Sequence, residues 1–349
     1  MPPLDTDVSW RAANLAPSRA RRGRLAIALW LALCGAAAAQ PSGLVAVSSE
    51  KDDAITLLDA RTLAVTGTVK VCKRPRHLQM LPAPATGPRV LLVACADSAR
   101  ADRVDLTQRK VVGSVALGDD PEIFDLSPDG RRLYVSDEEN GRLNVIDLVA
   151  GKKVGEVAVG AEPEGVKVSP DGARIYVTSE VANLVHVVDA RTLAVVKNIP
   201  VGQRPRRFAF ANGGAELWVS NELGASVSVI STRDLAVTHT LAFAVAGLRA
   251  DDITPVGLVT SHDGRTVFVG LGRANRVAWV DAATKSVRGT VLVGRRAWGL
   301  ALDREGKRLF VANGLSDDIT VVDVSGSPPG KALRSIPVGR VPHSIVVDD

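Results

Sequence analysis

Short apolar runs separated by polar turns fill the chain from about residue 43 to its end. In one unit the runs are EGVKVS, ARIYVTS, LVHVVD and AVVKNIPVG. The turn after the first run is Ser169-Pro-Asp-Gly, with Pro and Gly at positions that tight turns favour. The runs are rich in β-branched residues and lack the helical spacing of apolar positions, so we predict that the unit forms four antiparallel strands.

The same unit recurs at intervals near 42 residues. Its third run ends in an Asp that follows an apolar residue, and Ser231 replaces this Asp in one copy. The aspartates are Asp59, Asp105, Asp147, Asp189, Asp281 and Asp323. Periods of about 40–45 residues are typical of β-propellers, in which each four-stranded sheet buries its faces against its neighbours. We predict an all-β fold: a seven-bladed β-propeller of four-stranded antiparallel blades.

The two ends of the repeat region complement each other. Residues 44–71 supply three strands without a first strand, and the C-terminal VPHSIVVDD supplies a Pro and one strand. We predict that Ser344–Val347 is the innermost strand of the first blade, beside Leu44–Ser48. The C-terminal strand would then close the ring and leave no open sheet edge.

Residues 1–39 lie outside the repeats and have the pattern of a secretory signal peptide. Four arginines between positions 19 and 24 precede LAIALWLALCGAAAA, and three alanines end the segment. This order of charge, apolar core and small residues is typical of signal peptides. The apolar run of about 15 residues is shorter than the roughly 20 that span a membrane. We expect periplasmic export, a propeller over residues 40–349, and no membrane attachment after cleavage.

The charge balance argues against nucleic acid as a partner. The formal net charge of +5 includes five Arg and two Asp of the first 39 residues, so the remainder is close to neutral. Basic stretches interleaved with aromatic residues are also missing from the sequence, although single-stranded nucleic acids need them.

Familiar catalytic and cofactor motifs do not occur either. The sequence has no haem-attachment C-x-x-C-H, no His and Cys at metal-site spacing, no nucleophile elbow and no phosphate-binding loop. We therefore expect a monomeric binding protein rather than an enzyme, with no cofactor and no metal.

The up-and-down order of strands predicts which residues meet at one mouth of the central channel. The link that enters each blade and the loop between its second and third strands lie at the same end. The predicted set is Arg76, His77, Glu122, Glu164, Arg206, Trp298 and His343 from the links, and Glu50, Glu138, Glu180 and Glu222 from the loops. Two interpretations stay open: these side chains pair with one another, or they bind a ligand or partner.

Cys72 and Cys95 are the only cysteines that follow the leader. Cys72 takes the place of a Gly in the link that enters the second blade, and Cys95 ends the second strand of that blade. Both positions lie on the same face, and an oxidising compartment permits a bond between them. A disulfide is one expectation, and two free thiols are the alternative.

RLYVSDEENGRLNVID and RIYVTSEVANLVHVVD resemble the YVTN-type propeller repeat, which is WD40-like. RPRH, AEPEGVKVSPDG, QRPRRFAF and GRRAWGLAL occur in an order that resembles the β-propeller family associated with PQQ-dependent catabolism, over about residues 43–349. The resemblance implies an exported accessory protein of PQQ-dependent alcohol oxidation. It implies a quinoprotein dehydrogenase, a c-type cytochrome or a small polar ligand as partner. Cys72 in place of Gly, and His343 where Trp is common, depart from the family pattern.

Two other functions remain under consideration. A periplasmic lactonase-like hydrolase is one, because seven-bladed lactonases contain similar repeats and the channel mouth offers Arg, His and Glu side chains for acid–base chemistry. A cofactor-bearing dehydrogenase subunit is the other, and the missing haem and quinone motifs disfavour it.

Overall fold

The computed structural model describes residues 40–83, 87–326 and 330–349. Seven four-stranded antiparallel sheets form the blades, which confirms the predicted fold class. The expected signal peptide lies outside the described residues. No helix within the described ranges is long and apolar enough to cross a membrane.

Each blade runs from an innermost strand at the channel to an outermost strand at the rim. Blade 1 contains the strands β1 (Leu44–Ser49), β2 (Ala54–Asp59), β3 (Val65–Lys70) and, from the C-terminus, β28 (Pro342–Asp348). Blade 2 contains β4 (Pro75–Met80), β5 (Val90–Cys95), β6 (Arg100–Asp105) and β7 (Lys110–Ala116), and blade 3 contains β8 (Pro121–Leu126), β9 (Arg132–Asp137), β10 (Arg142–Asp147) and β11 (Lys152–Ala158).

The remaining blades repeat this order. Blade 4 contains β12 (Pro163–Val168), β13 (Arg174–Ser179), β14 (Leu184–Asp189) and β15 (Val195–Pro200), and blade 5 contains β16 (Pro205–Ala211), β17 (Glu216–Asn221), β18 (Ser226–Ser231) and β19 (Ala236–Ala242). Blade 6 contains β20 (Pro255–Thr260), β21 (Thr266–Leu271), β22 (Arg276–Asp281) and β23 (Ser286–Leu292), and blade 7 contains β24 (Ala297–Leu302), β25 (Arg308–Asn313), β26 (Asp318–Asp323) and β27 (Lys331–Pro337). Short 3-10 turns cover Glu50–Asp52, Ala96–Ser98, Asn212–Gly214 and Ala250–Asp252.

The C-terminal strand β28 closes the ring. It pairs antiparallel with β1, with Val47 opposite Ile345 and Leu44 opposite Asp348, so the predicted closure is confirmed. The Asp348 carboxylate accepts hydrogen bonds from the Ser42 backbone amide at 2.8 Å and from Arg89 Nε at 3.1 Å. These contacts fix the last strand to the start of its own blade and to blade 2.

The apolar core lies between the blades. Seven clusters of buried side chains occur, and each combines residues of two adjacent blades. In one of them Leu92 and Ala94 of blade 2 pack with Leu133 and Val135 of blade 3. Since no blade has a core of its own, removing one blade exposes apolar surface on two others.

Hydroxyl groups hold adjacent innermost strands at the channel mouth. The Ser48 hydroxyl donates to the Arg76 carbonyl at 3.3 Å, and the Ser136 hydroxyl donates to the Glu164 carbonyl at 2.7 Å. At Gly165 an added Cβ would overlap the carbonyl oxygen of Arg206 in the next blade. The innermost strands therefore approach closely at the residue after each Pro.

Every link bends at a residue in the left-handed region just before its innermost strand. The residues and their φ angles are Arg74 (56°), Asp120 (41°), Glu162 (49°), Arg204 (54°), Thr254 (40°), Arg296 (61°) and Val341 (53°). This conformation is unfavourable for β-branched residues such as Thr254 and Val341. The bend brings the residues on both sides of the Pro position toward the channel mouth.

Cys72 and Cys95 form a disulfide bond. The Cys72 backbone amide also donates to the buried Asp102 carboxylate at 2.8 Å. The bond joins residues 23 positions apart, and a loop of this length contributes about 3 kcal/mol in the chain-entropy account. It fixes the link into blade 2 to the end of strand β5.

Deleting residues 340–349 removes β28 and leaves β1 paired on one side only, with β2. We expect the truncated protein to lose its single cooperative unfolding transition, because the core between blades 7 and 1 opens. Calorimetry and circular dichroism melting measure this, with Leu333→Ala, an exposed residue of β27, as the control that keeps the native transition. A truncated protein with the melting curve of the full chain would contradict closure by β28.

Candidate functional site in the central channel

The arginines and glutamates predicted at the channel mouth do meet there, and most are buried, whereas His77 and Trp298 line the cavity beneath. Arg206 is 7% exposed, Glu164 is 1% exposed and Glu122 is fully buried. We call the charged side chains at this level the mouth ring, which consists of Glu50, Arg74, Arg76, Asp120, Glu122, Glu138, Glu164, Glu180, Arg204, Arg206, Glu222 and Arg296.

Arg206 is at the centre of the mouth ring. Its Nη2 lies 3.2 Å from Glu164 Oε1, its Nη1 contacts Glu180, and its Nε lies 3.6 Å from Glu222 Oε2. Burial alone lowers the pKa of Arg206, but the three carboxylates outweigh burial and raise it. Glu164 keeps its charge against burial because Arg206 and neighbouring arginines lower its pKa to about 2.

Arg76 organises the other half of the mouth ring. Its Nε lies 3.3 Å from Glu50 Oε1, and its Nη2 contacts Glu122. Arg74, on the other side of the Pro, lies 3.3 Å from Glu122 and 3.2 Å from Asp120. The mouth ring therefore pairs its own charges, as the first of the two interpretations of the sequence expects.

The carboxylates of Asp120, Glu122 and Glu138 lie within 4.8 Å of one another. This spacing suits a cation, but the Arg74 guanidinium already pairs with two of the three. Burial, and then repulsion from Glu164, raises the pKa values of Glu122 and Glu138. In the part of the chain that the structure describes, Glu138 has no ion-pair partner.

His343 connects the mouth ring to the channel interior. Its Nδ1 lies 2.9 Å from the Arg76 carbonyl oxygen, so Nδ1 carries the proton and Nε2 accepts. Arg207 Nη2 lies 3.4 Å from that Nε2. Burial, with repulsion from Arg76 and Arg207, lowers the pKa of His343 well below its usual value. The Trp298 ring meets the imidazole edge-on at 4.7 Å.

A cavity of about 270 Å³ lies one residue deeper in the channel. Its lining changes in character around the axis. The polar arc comes from blades 2 to 5 and consists of His77, Gln79, Asp125, Lys167 and Arg207. The apolar arc comes from blades 5 to 7 and blade 1 and consists of Phe208, Leu258, Trp298, Leu300 and Ile345. The lining also includes the apolar Leu78, Ile123, Phe124 and Val166 of blades 2 to 4 and the polar His343 and Ser344 of blade 1.

Two members of the polar arc are already satisfied. Asp125 accepts from Gln79 Nε2 at 2.8 Å, from the Val168 amide at 2.9 Å and from Lys167 Nζ at 2.9 Å. Burial opposes ionisation, but Lys167 and these hydrogen bonds lower the pKa of Asp125. The charges of Asp125 and Lys167 therefore cancel within the cavity wall.

His77 lies in this cavity, below the mouth ring. The sequence analysis had predicted it at the mouth itself. Its ring meets Phe124 edge-on at 4.8 Å. Burial, followed by repulsion from Arg207, lowers the pKa of His77 to about 3. Both histidines of the channel are therefore neutral at physiological pH.

Gln79, Asp125, Lys167 and Arg207 were not predicted from the sequence as site residues. On the innermost strands the prediction covered the position after each Pro, together with His77, and these four lie one or three residues beyond that position. The innermost strands have register irregularities near their first residues, for example between Pro163 and Val166, so strict alternation does not hold there. The third arginine of QRPRRFAF, Arg207, was the available signal.

Comparison with known proteins relates the propeller to two groups. The model of the cytochrome D1 heme domain matches residues 122–207, and the model of the seven-bladed β-propeller lactonases matches residues 192–331. None of the curated proteins compared with the chain matches it.

Several solved structures share the fold. The periplasmic gluconolactonase PpgL of Pseudomonas aeruginosa is similar with a TM-score of 0.70 and 23% identity, over 87% of this chain and 98% of that one. Kuenenia stuttgartiensis hydrazine synthase has a TM-score of 0.72 and 22% identity, over 82% and 94%. The dihydro-heme d1 dehydrogenase NirN in complex with DHE has a TM-score of 0.63 and 17% identity, over 88% and 76%.

The cavity does not fit a haem group. Its volume of about 270 Å³ is below the roughly 300–1,000 Å³ of pockets that hold drug-sized ligands. The Nε2 atom of His343, which would face an iron, is in contact with Arg207. The match to the cytochrome D1 heme domain therefore reflects the blade repeat.

Replacing Arg206 with Met should destabilise the protein by about 3–5 kcal/mol, because three buried carboxylates lose their shared cation. Urea denaturation at pH 7 measures the loss. The control is Arg340→Met, which breaks an ion pair with Asp52 at a side chain that is 66% exposed and should cost about 1 kcal/mol or less. Equal losses in the two variants would show that the mouth ring is not a network of buried charges.

Replacing Glu138 with Gln should reduce the loss of stability that occurs as the pH rises above the ordinary pKa of a Glu side chain. The folded state raises the pKa of Glu138, so it holds this proton more tightly than the unfolded chain does. Stability is therefore lost as pH rises from the ordinary Glu value through the raised value, and the uncharged Gln removes this loss. Urea denaturation between pH 4 and pH 8 measures the slope. The exposed neighbour Glu139→Gln should keep the wild-type slope, and the same slope in both variants would contradict the assignment.

Proposed function

We propose that the protein is an exported ligand-binding propeller and that its ligand is a small polar molecule held in the channel cavity. The observation that carries the proposal is the cavity itself, where a polar arc faces an apolar arc around the axis. Such pairing of an apolar wall with a few convergent polar groups is characteristic of small-molecule sites.

The mouth ring is less suited to a ligand than the cavity is. Its arginines already contact the carboxylates of adjacent links and loops. A ligand at the ring would have to break buried ion pairs, which costs several kcal/mol. The cavity offers space without that cost, so the proposed site moves one layer inward from the position predicted from the sequence.

The wider role that we propose follows from the sequence pattern. Residues 1–39 would direct the chain to the periplasm, and the propeller of residues 40–349 would act there as a monomer. The resemblance to the family associated with PQQ-dependent catabolism supports a role beside alcohol oxidation, with a quinoprotein dehydrogenase or a c-type cytochrome as macromolecular partner. Catalysis is not part of this proposal.

A cavity-filling substitution tests the ligand site. Leu300→Trp fills the apolar arc, whereas Leu292→Trp adds the same indole at an exposed position of β23. Benzyl alcohol, benzaldehyde and benzoate serve as probes, since they share one phenyl ring and differ in its polar substituent. At least one should raise the melting temperature of the wild type and of Leu292→Trp, and none should do so for Leu300→Trp. Equal shifts in all three proteins, or no shift in the wild type, would refute the cavity as the site.

Lactone hydrolysis in the same cavity is the second candidate function. The match of the lactonase family to residues 192–331 and the likeness to a periplasmic gluconolactonase favour it. The neutral imidazole of His77 can accept a proton from water, and Arg207 can polarise a carbonyl oxygen. Hydrolysis of glucono-δ-lactone above the spontaneous rate, lost in His77→Asn, would support this function. A rate equal to the spontaneous one would exclude it for this substrate.

A further inference from the structure

We infer that the cavity ligand is a small organic carboxylate, whose carboxylate group pairs with Arg207 while its apolar body packs on the apolar arc. This inference rests on the proposed function of the cavity and adds the chemical class of the ligand. Three observations support it: the incomplete pairing of Arg207, the neutrality of the surrounding groups, and the size and lining of the cavity.

Arg207 has fewer partners than the other buried arginine of its strand. Its Nη2 lies 3.3 Å from Glu164 Oε1 and 3.4 Å from His343 Nε2. The same Glu164 oxygen lies 3.2 Å from Arg206, so one carboxylate oxygen serves two guanidinium groups. Within the described residues, the Nε and Nη1 atoms of Arg207 make no hydrogen bond or ion pair. A guanidinium with open donors suits a carboxylate, which accepts two parallel hydrogen bonds.

Among the titratable groups that line the cavity, Arg207 is the charged one with open hydrogen-bond donors. Lys167 is paired with Asp125 at 2.9 Å. His77 and His343 are neutral, and repulsion from Arg207 contributes to the lowered pKa of each. Burial also lowers the pKa of Arg207 to about 10, which still leaves it charged at pH 7. Since Arg207 shares the Glu164 carboxylate with Arg206 and has open donors, the site favours a monoanion over a dianion and disfavours a cation.

The apolar arc determines the polarity and size of the part of the ligand that lies beyond the carboxylate. Phe208, Leu258, Leu300 and Ile345 offer no side-chain hydrogen-bonding group, so a polyhydroxylated body would lose its hydration without replacement. A cavity of about 150 Å³ holds a benzene molecule in other proteins, and this one has about 270 Å³. A carboxylate attached to one ring or to a short branched chain matches both the volume and the lining.

The test compares benzoate with benzyl alcohol, which has the same ring and no charge. Isothermal titration calorimetry on the intact protein at pH 7 should show benzoate binding at least about 10-fold more tightly than benzyl alcohol. Arg207→Gln should reduce this preference to about twofold or less. Arg207→Lys keeps the charge but loses the planar fork, so its preference for benzoate should lie between those of the wild type and Arg207→Gln. Arg131→Gln, at an exposed turn residue, should bind as the wild type does.

Each outcome separates the inference from the proposed function. Equal binding of benzoate and benzyl alcohol, both abolished by Leu300→Trp, would overturn the carboxylate class and leave the cavity as the site. Benzoate binding that survives Leu300→Trp, or binding of neither probe by the wild type, would overturn both. If Arg207→Gln does not fold, Arg207→Lys decides: an unchanged preference in that variant would contradict recognition through the guanidinium fork.

Discussion

The structure depends on the pairing of charges that seven converging strands bury at one end of the channel. Arg206 is nearly without solvent, and Glu164, Glu180 and Glu222 surround its guanidinium. Removing a guanidinium and carboxylates from water is costly unless their geometry is well matched. The links from several blades must therefore end in the correct place, which requires the ring to be closed and adjacent strands to approach closely at positions such as Gly165.

The same pairing determines where a ligand fits. Because the arginines of the mouth ring already pair with its carboxylates, the free donors of the channel are found one layer deeper, at Arg207. The channel is also asymmetric: the side chains of Gln79, Asp125, Lys167 and Arg207 come from blades 2 to 5, whereas apolar side chains come from all seven blades. Propellers of this architecture occur in proteins as different as a gluconolactonase and a heme d1 dehydrogenase. The fold alone therefore says little about function, which has to be derived from the site.

Much of the fold could be predicted from the sequence because the same four-strand unit recurs at intervals near 42 residues. The turn at Ser169, the recurring Asp and the complementary ends led to seven blades and to the closing strand. The convergence at the mouth was also predictable, since strand direction determines which loops share a face. The cavity was not, because the register irregularity between Pro205 and Phe208 turns both Arg206 and Arg207 toward the channel. Alternation along an ideal strand would place only one of them there.

The arginines of the mouth ring pair with its carboxylates, and we place the ligand site in the cavity beneath them. Anomalous diffraction from crystals of the intact protein soaked in 4-bromobenzoate tests this placement. We expect a bromine peak against the apolar arc, with the carboxylate at Arg207 and the ion pairs of the mouth ring unchanged. A bromine peak among the mouth-ring side chains, or an empty cavity beside an occupied outer site, would contradict it.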